Sequence, residues 1–460
     1  MAEDNPLSLS RRQLLQVAAG AAAGAGVTGR AGAAPGDPEA PPRPSAGSSM
    51  IGVSFERHAR VRFGLIGCGG RGRSLLRNLL RVDGVEVKAV CDIVSEKAER
   101  AQGMVTKAGQ PDPKSYTKGE NDFENLCRRG DLDLIFVATP WNWHLPMAVA
   151  AMEGGAHAGV EVPAVTTIED CWRLVDVSER TRKHAVMLEN VCYGWDEMFV
   201  LNLVRAGELG ELTHAECAYI HDLRSLLFED RDEGLWRRYQ HWRRDGNIYP
   251  THGLGPVARY FDINRGDRFD YLVSMSSPSI GLQTYRERTL EATDPRRMET
   301  YDCGDMNTSL IKTASGRSIV LQHDVISPRP YDRINLVSGT KGTFRGYPAR
   351  IFLDGQEDHE DWMHLDQENI EPGSLEERFE GSLWTRLREV AMGGGHGGMD
   401  YIMCWRLIEC MRDGIAPDMD VYDAASWSAP APLSEESVAN RSGSVSFPDF
   451  TRGGWSQKRA

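Results

Sequence analysis

The chain is predicted to fold as an α/β Rossmann domain, a doubly wound parallel sheet, followed by an α+β domain with a large, mostly antiparallel open sheet. Three observations carry this expectation. Residues 60–190 alternate strand and helix patterns, as a parallel sheet covered on both faces requires. The first turn of that region spaces Gly67, Gly69 and Gly72 as G-x-G-x-x-G. Beyond residue 206, strand patterns follow one another without helices between them, which marks antiparallel pairing.

The elements follow in order. Val61–Ile66 is a short apolar run and the first strand. Of the three glycines, one makes a tight turn, one lets backbone approach a pyrophosphate, and one lets helix pack close on strand. Gly70 and Arg71 lie inside this loop. Leu75, Leu76, Leu79 and Leu80 form a helical stripe over Arg71–Val82. The first turn of that helix offers free N–H groups to phosphate. Val85–Cys91 is the second strand, closed by Asp92, 20 residues beyond Gly72. A carboxylate there suits the hydroxyls of an adenosine ribose and repels a 2′-phosphate, so NAD is favoured over NADP.

Helix Ser95–Lys107 and buried strand Ile135–Ala138 continue the pattern. Thr139-Pro140-Trp141-Asn142-Trp143-His144 stands at that strand's carboxyl end, where open α/β sheets bind ligands. Helix Leu145–Met152, strand Ala158–Val162 and helix Ile168–Lys183 follow, and Ala185–Leu188 ends the domain at Glu189-Asn190. In the second domain (191–445), helix Glu197–Ala206 precedes strands over Leu212–Ile220, Phe269–Met275, Met306–Thr313, Ser318–Val325 and Arg333–Ser338. Glu357–Glu380 reads as a solvated acidic excursion, Trp384–Val390 and Met399–Arg412 as helices, and 446–460 as a tail.

The ends and composition bound the setting. Ser10-Arg11-Arg12-Gln13-Leu14-Leu15, a mild Val17–Val27 apolar stretch and Ala31-Gly32-Ala33 read as a twin-arginine signal over residues 1–34. The expected destination is periplasmic or secreted, with no membrane span in the mature protein. Residues 35–59, rich in Pro, Ser and Gly, read as a flexible linker. A net charge of −13 argues against nucleic acid or anionic membrane as partner. The nine cysteines are scattered without a C-x-x-C, so neither a metal site nor a disulfide framework is indicated.

Asn247 to Pro256 packs Tyr249, Thr251 and His252 among turn residues, unlike a core stripe. A tyrosine and a histidine three apart can share one substrate as acid and base. The same segment could equally be a structural turn whose histidine caps a helix.

Five motifs bear a resemblance: ATPWNWH (138–144), GVEVPA (159–164), MLEN (187–190), YPTHGLGPVARY (249–260) and GHGGMDY (395–401). Together they resemble glycoside hydrolase family 109, the NAD-dependent α-N-acetylgalactosaminidases, within the Gfo/Idh/MocA oxidoreductases. The likeness runs from about residue 60 to about 425. Val162 stands where many of the broader family carry lysine, which weakens a plain sugar dehydrogenase reading.

The resemblance implies hydride removal from C3 of terminal N-acetylgalactosamine, elimination across C1–C2, water addition and re-reduction, with no net redox change. It also implies the site. Gly70, Arg71, Asp92, Trp141, Asn142, Trp143, His144, Glu161, Val162 and Asn190 would hold NAD. Tyr219, Arg237, Tyr249, Pro250, Thr251, His252 and Tyr331 would hold the sugar. His252 or Tyr249 would take the C3 hydroxyl proton, Tyr193 or Tyr249 would act at C2, and Glu161 would position the nicotinamide or assist the leaving oxygen. Alternatives are a sugar or cyclitol dehydrogenase that releases NADH, and an exported sugar-binding protein with a vestigial nucleotide fold. A homo-oligomer is expected by analogy of fold class alone.

Overall fold

The computed structural model describes residues 44–356 and 360–457. The signal expected over residues 1–34 lies outside the described residues. Strands β1 (Val61–Ile66), β2 (Val85–Cys91), β3 (Lys114–Tyr116), β4 (Leu134–Val137), β5 (His157–Val160) and β6 (Ala185–Met187) form one sheet. Its order is β3-β2-β1-β4-β5-β6, and every pair is parallel. That is the doubly wound order, and its ligand crevice opens where β1 meets β4. All residues of β4 and β5 are buried, so these strands read as continuous rather than alternating apolar runs. Phe63 on β1 packs edge-on against Phe136 on β4 at 5.0 Å.

The second sheet has nine strands. They are β7 (Leu212–Ile220), β8 (Phe269–Ser276), β9 (Asn307–Thr313), β10 (Ser318–Asp324), β11 (Leu336–Gly339), β12 (Gly342–Arg345), β13 (Arg350–Leu353), β14 (Met363–His364) and β15 (Val445–Ser446). Their order is β14-β13-β12-β11-β7-β10-β9-β8-β15. Only β7 and β10 pair in parallel, so the sheet is mixed and mostly antiparallel.

Two packings position the site. Helix Thr251–Tyr260 lies on β7. A Cβ at Gly253 would stand 2.6 Å from the backbone nitrogen of Ala218, so only glycine allows this approach. Helix Met399–Asp413 packs on helix Gly70–Leu79 and brings Asp400 against the first sheet.

Three expectations require correction. The strand expected from Arg333 begins at Leu336, because Ile334 and Asn335 hold left-handed φ of 63° and 48°. The stretch expected to be a flexible linker buries Met50 (1% exposed) and Phe55 (4%) in the core. Phe55 packs edge-on against His157 at 4.8 Å, so apolar burial outweighs its turn-rich composition. The expected tail pairs β15 with β8 and buries Phe447 and Phe450.

Candidate active site

The glycines of the phosphate loop divide into two kinds. Gly67 has φ of 91°, and a Cβ there would meet the Ala138 carbonyl oxygen at 2.4 Å. A Cβ at Gly72 would meet the Gly67 carbonyl oxygen at 1.8 Å. The chain itself requires these two. Gly69 and Gly70 differ: a Cβ at Gly70 would meet nothing within 4 Å, and at Gly69 only Asp232 at 3.9 Å. The bareness there faces outward. Helix Gly70–Leu79 begins with no side-chain cap and no acidic residue in its first turn. Its free N–H groups and positive dipole end fit a pyrophosphate. Asp92 closes the loop by accepting from Cys68 N at 2.7 Å and Val94 N at 2.9 Å. Each carboxylate oxygen keeps lone-pair capacity for a ribose hydroxyl.

Arg71 turns its guanidinium inward. Its Nε donates to Glu161 Oε1 at 2.6 Å and its Nη1 to Asp400 Oδ2 at 2.8 Å. Asp400 also accepts from Asn190 Nδ2 at 2.7 Å, and His396 Nδ1 lies 2.8 Å from it. Burial raises the Glu161 carboxyl above the usual range despite Arg71. Burial pushes Asp400 the same way, but His396 and Arg71 prevail and hold it well below that range. The two carboxylates around one arginine therefore differ in proton affinity, the separation that acid and base roles need.

Across the crevice, Tyr249, Thr251 and His252 lead into and begin the helix on β7. His252 Nδ1 lies 2.7 Å from Glu189 Oε1, and His252 Nε2 lies 3.3 Å from the Tyr249 hydroxyl. Burial would raise Glu189, but His252, Thr251 and the Val191 N–H outweigh it and hold the carboxyl below its usual range. Burial, then neighbouring Tyr219, pushes the Tyr249 phenol well up. Tyr219 stacks on Tyr249 at 4.6 Å, and burial pushes its phenol up to about 12. Trp141 packs against Tyr249 at 5.7 Å and Trp236 at 5.4 Å. Arg237 lies over Tyr249 at 5.0 Å and over Trp141 at 5.6 Å, and pairs with Glu233 at 2.6 Å. Tyr331, 37% exposed, stands 6.2 Å from Tyr219.

Other expected residues lie elsewhere. Tyr193 is not brought to this cluster: it is buried, and its hydroxyl donates to the half-buried Asp418 at 3.1 Å. Its catalytic role is withdrawn. His144 wedges its ring between the carbonyl oxygens of Thr139 and Pro163, at 2.8 Å each, and braces the loops after β4 and β5. Trp143 packs toward Phe123, and Asn142 is exposed. Val162 is buried, and Pro250 caps the helix on β7. Sequence reasoning met Glu189, His396 and Asp400 only inside the MLEN and GHGGMDY motifs and gave them no role; for the latter two the glycine run 393–398 ahead of a helix was a further signal.

Comparisons with known proteins agree with this fold. A model of the oxidoreductase family, NAD-binding Rossmann fold, matches residues 61–189. A model of the glycosyl hydrolase 109 C-terminal domain matches residues 193–457. A glycosyl hydrolase family 109 protein of Solibacter usitatus is 53% identical over 453 residues, 98% of this chain and 99% of the relative. One from Saccharopolyspora erythraea is 50% identical over 456 residues, 98% of this chain and 95% of the relative. A levoglucosan dehydrogenase in complex with NADH and L-sorbose superposes with a TM-score of 0.66 at 18% identity, over 85% of this chain and 100% of that one. An NAD-binding oxidoreductase from Klebsiella pneumoniae gives 0.66 at 16% identity, over 84% and 99%. At such identities the solved structures show the fold.

Proposed function

The chain belongs to glycosyl hydrolase family 109 with NAD as its cofactor, and from that premise we propose that it releases terminal N-acetylgalactosamine by oxidation at C3, elimination across C1–C2, hydration and re-reduction. The observation that carries this reading is the Glu189–His252–Tyr249 relay, packed through Tyr249 against Trp141 beyond the carboxyl end of β4.

Gly69, Gly70 and the first helical turn would hold the pyrophosphate, and Asp92 the adenosine ribose. Bound there, NAD supplies a reversible hydride acceptor for C3, which makes the C2 hydrogen acidic while the ketone lasts. The residues handle protons. His252 Nδ1–H donates to Glu189, so Nε2 carries the free lone pair beside Tyr249. A proton leaving a sugar hydroxyl bound at Tyr249 passes to Nε2, and the buried Glu189 carboxylate stabilises the imidazolium. With Tyr193 turned away, Tyr249 alone of the two tyrosines stands at the cluster, where it would accept the C2 proton as it passes its own to a neutral His252 Nε2. Glu161, fixed by Arg71, is a positioning residue at the end of β5. His396 offers an exposed ring oriented by Asp400, suited to give a proton to the leaving oxygen and take one from water. Arg237 and the stacked tyrosines suit a polar sugar with one apolar face.

The test is hydrolysis of chromogenic N-acetylgalactosaminides of both anomers in deuterated water. Cleavage with deuterium at C2 and no net NADH is expected. Nucleotide-stripped protein should be inactive and should recover with added NAD. Stoichiometric NADH without cleavage would replace the reading with a dehydrogenase, and sugar binding without turnover would replace it with a binding protein. Export by the twin-arginine route is part of the proposal: R11K with R12K should leave the protein in the cytoplasm.

A further inference from the structure

The aromatic row does not end at the sugar cluster. Tyr249 and Tyr219 stack at 4.6 Å, Tyr331 stands 6.2 Å from Tyr219, and Tyr347 stands 6.1 Å from Tyr331. Tyr331 meets Tyr219 at 78° and Tyr347 at 60°, so the two outer rings turn out of the inner stack and offer a surface that one pyranose ring cannot share with it. Arg333, 7% exposed, lies over both outer rings, 5.4 Å from the Tyr331 centroid and 5.2 Å from that of Tyr347. Its Nη1 donates to the Tyr331 hydroxyl at 3.0 Å and its Nη2 to Glu197 Oε1 at 2.7 Å. Its buried Nε has no partner among the described residues. Beside Glu197, the half-buried Asp196 carboxyl makes no hydrogen bond among the described residues.

The loops that carry these groups are fixed under strain. Ile334, Asn335 and Tyr347 have φ of 63°, 48° and 56°, a region costly for side chains and most of all for a β-branched one. The two loops are stitched together: Gly346 N donates to the carbonyl oxygens of Ile334 at 3.1 Å and Asn335 at 3.2 Å. Tyr331 and Tyr347 are therefore held at a set separation.

We propose that Tyr347, Arg333 and Asp196, with Tyr331 standing between the two seats, form a second sugar subsite, which takes the residue on the leaving side of the scissile bond. This rests on the inner cluster being the seat of the terminal sugar. The ligand class follows from the chemistry. Two tyrosine faces suit the apolar face of a pyranose. The Asp196 carboxyl suits its hydroxyls, and Arg333, held by Glu197 and the Tyr331 hydroxyl, fixes the outer rings in place. Glu197 takes the direct ion pair with Arg333, and Asp196 beside it gives two carboxyls to one guanidinium, so a neutral sugar is accepted and a uronate or sulfated one is disfavoured. Burial and then Glu197 push the Asp196 carboxyl up against the pull of Arg333, so it holds a proton more readily and can donate as well as accept.

The experiment compares a methyl N-acetylgalactosaminide with a disaccharide that places the same sugar on a neutral hexose, using NAD-loaded full-length protein. In Tyr347→Ala and in Asp196→Asn, the ratio of kcat/KM for disaccharide over methyl glycoside should fall about tenfold. Melting curves of both variants check folding. An unchanged ratio in both folded variants would overturn the subsite. Calorimetry with a carbon-linked disaccharide, whose methylene bridge cannot leave by elimination, keeps the two readings apart. If wild type cleaves nothing yet binds this ligand, and Tyr347→Ala weakens binding about tenfold, the subsite stands while the reaction is wrong. If wild type cleaves both substrates and the variants lose equally on both, the reaction stands and the subsite falls.

Discussion

Two histidine–carboxylate pairs flank the crevice, and they are built in opposite ways. In Glu189–His252 the Nδ1–oxygen distance is 2.7 Å, and in Asp400–His396 it is 2.8 Å. Both carboxylate side chains are fully buried, yet the His252 side chain is 14% exposed and that of His396 61%. His252 rides on a regular helix against β7. His396 rides on a turn whose three successive residues, His396, Gly397 and Gly398, have φ of 52°, 66° and 101°. A Cβ at Gly395 would stand 2.4 Å from Asp400 Oδ2, so the turn also needs a bare backbone at its base. The same chemical unit is thus locked in the interior at one wall and presented to solvent at the other. In the proposed reaction, proton transfer with a buried sugar hydroxyl falls to the first, and exchange with a leaving group and water to the second.

This contrast can be broken by substitution. His252→Ala should lower kcat by about 10³-fold with the fold retained, and unchanged turnover would remove the inner pair from the chemistry. Glu189→Gln should lower it by about 10²-fold, because the tautomer and the forming imidazolium both lose their partner. His396→Ala should cost about 10²-fold with alkyl glycosides but clearly less with activated aryl glycosides, whose leaving oxygen needs no proton. Equal losses on both substrate types would deny the outer pair its assigned side of the reaction.

The smallest effect is on stability. The folded Asp400 carboxyl titrates below its unfolded value of about 3.9. Its stabilisation is therefore fully present above that pH and drains away as the pH falls toward the folded value. Melting temperature against pH should fall more steeply below about pH 4 in wild type than in Asp400→Asn. Parallel curves would show that the outer pair carries no such linkage.

What the sequence showed of these pairs follows from what local patterns encode. The glycine spacing, the strand–helix alternation and the Tyr249–His252 interval are short-range features, and each could be read directly. The Arg71–Asp400 contact joins residues 329 apart, and no periodicity carries that information. Glu189 looked like the end of a strand, and its role depends on a helix that arrives 63 residues later. Tyr193 failed for the same reason in reverse. Its neighbours in sequence belong to the crevice, but the partner of its hydroxyl, Asp418, lies 225 residues on. The strand expected from Arg333 failed because β-branched Ile334 favours a strand by propensity, while the tertiary fold holds it in a left-handed turn.

Gly253 gives the inner wall its dimension. Because nothing larger than a hydrogen atom fits between that helix and Ala218 of β7, the depth at which the adjacent imidazole sits is gauged by the thickness of a bare backbone. One added methyl group would act as a shim, lifting His252 off its seat while leaving every side chain of the cluster chemically unchanged.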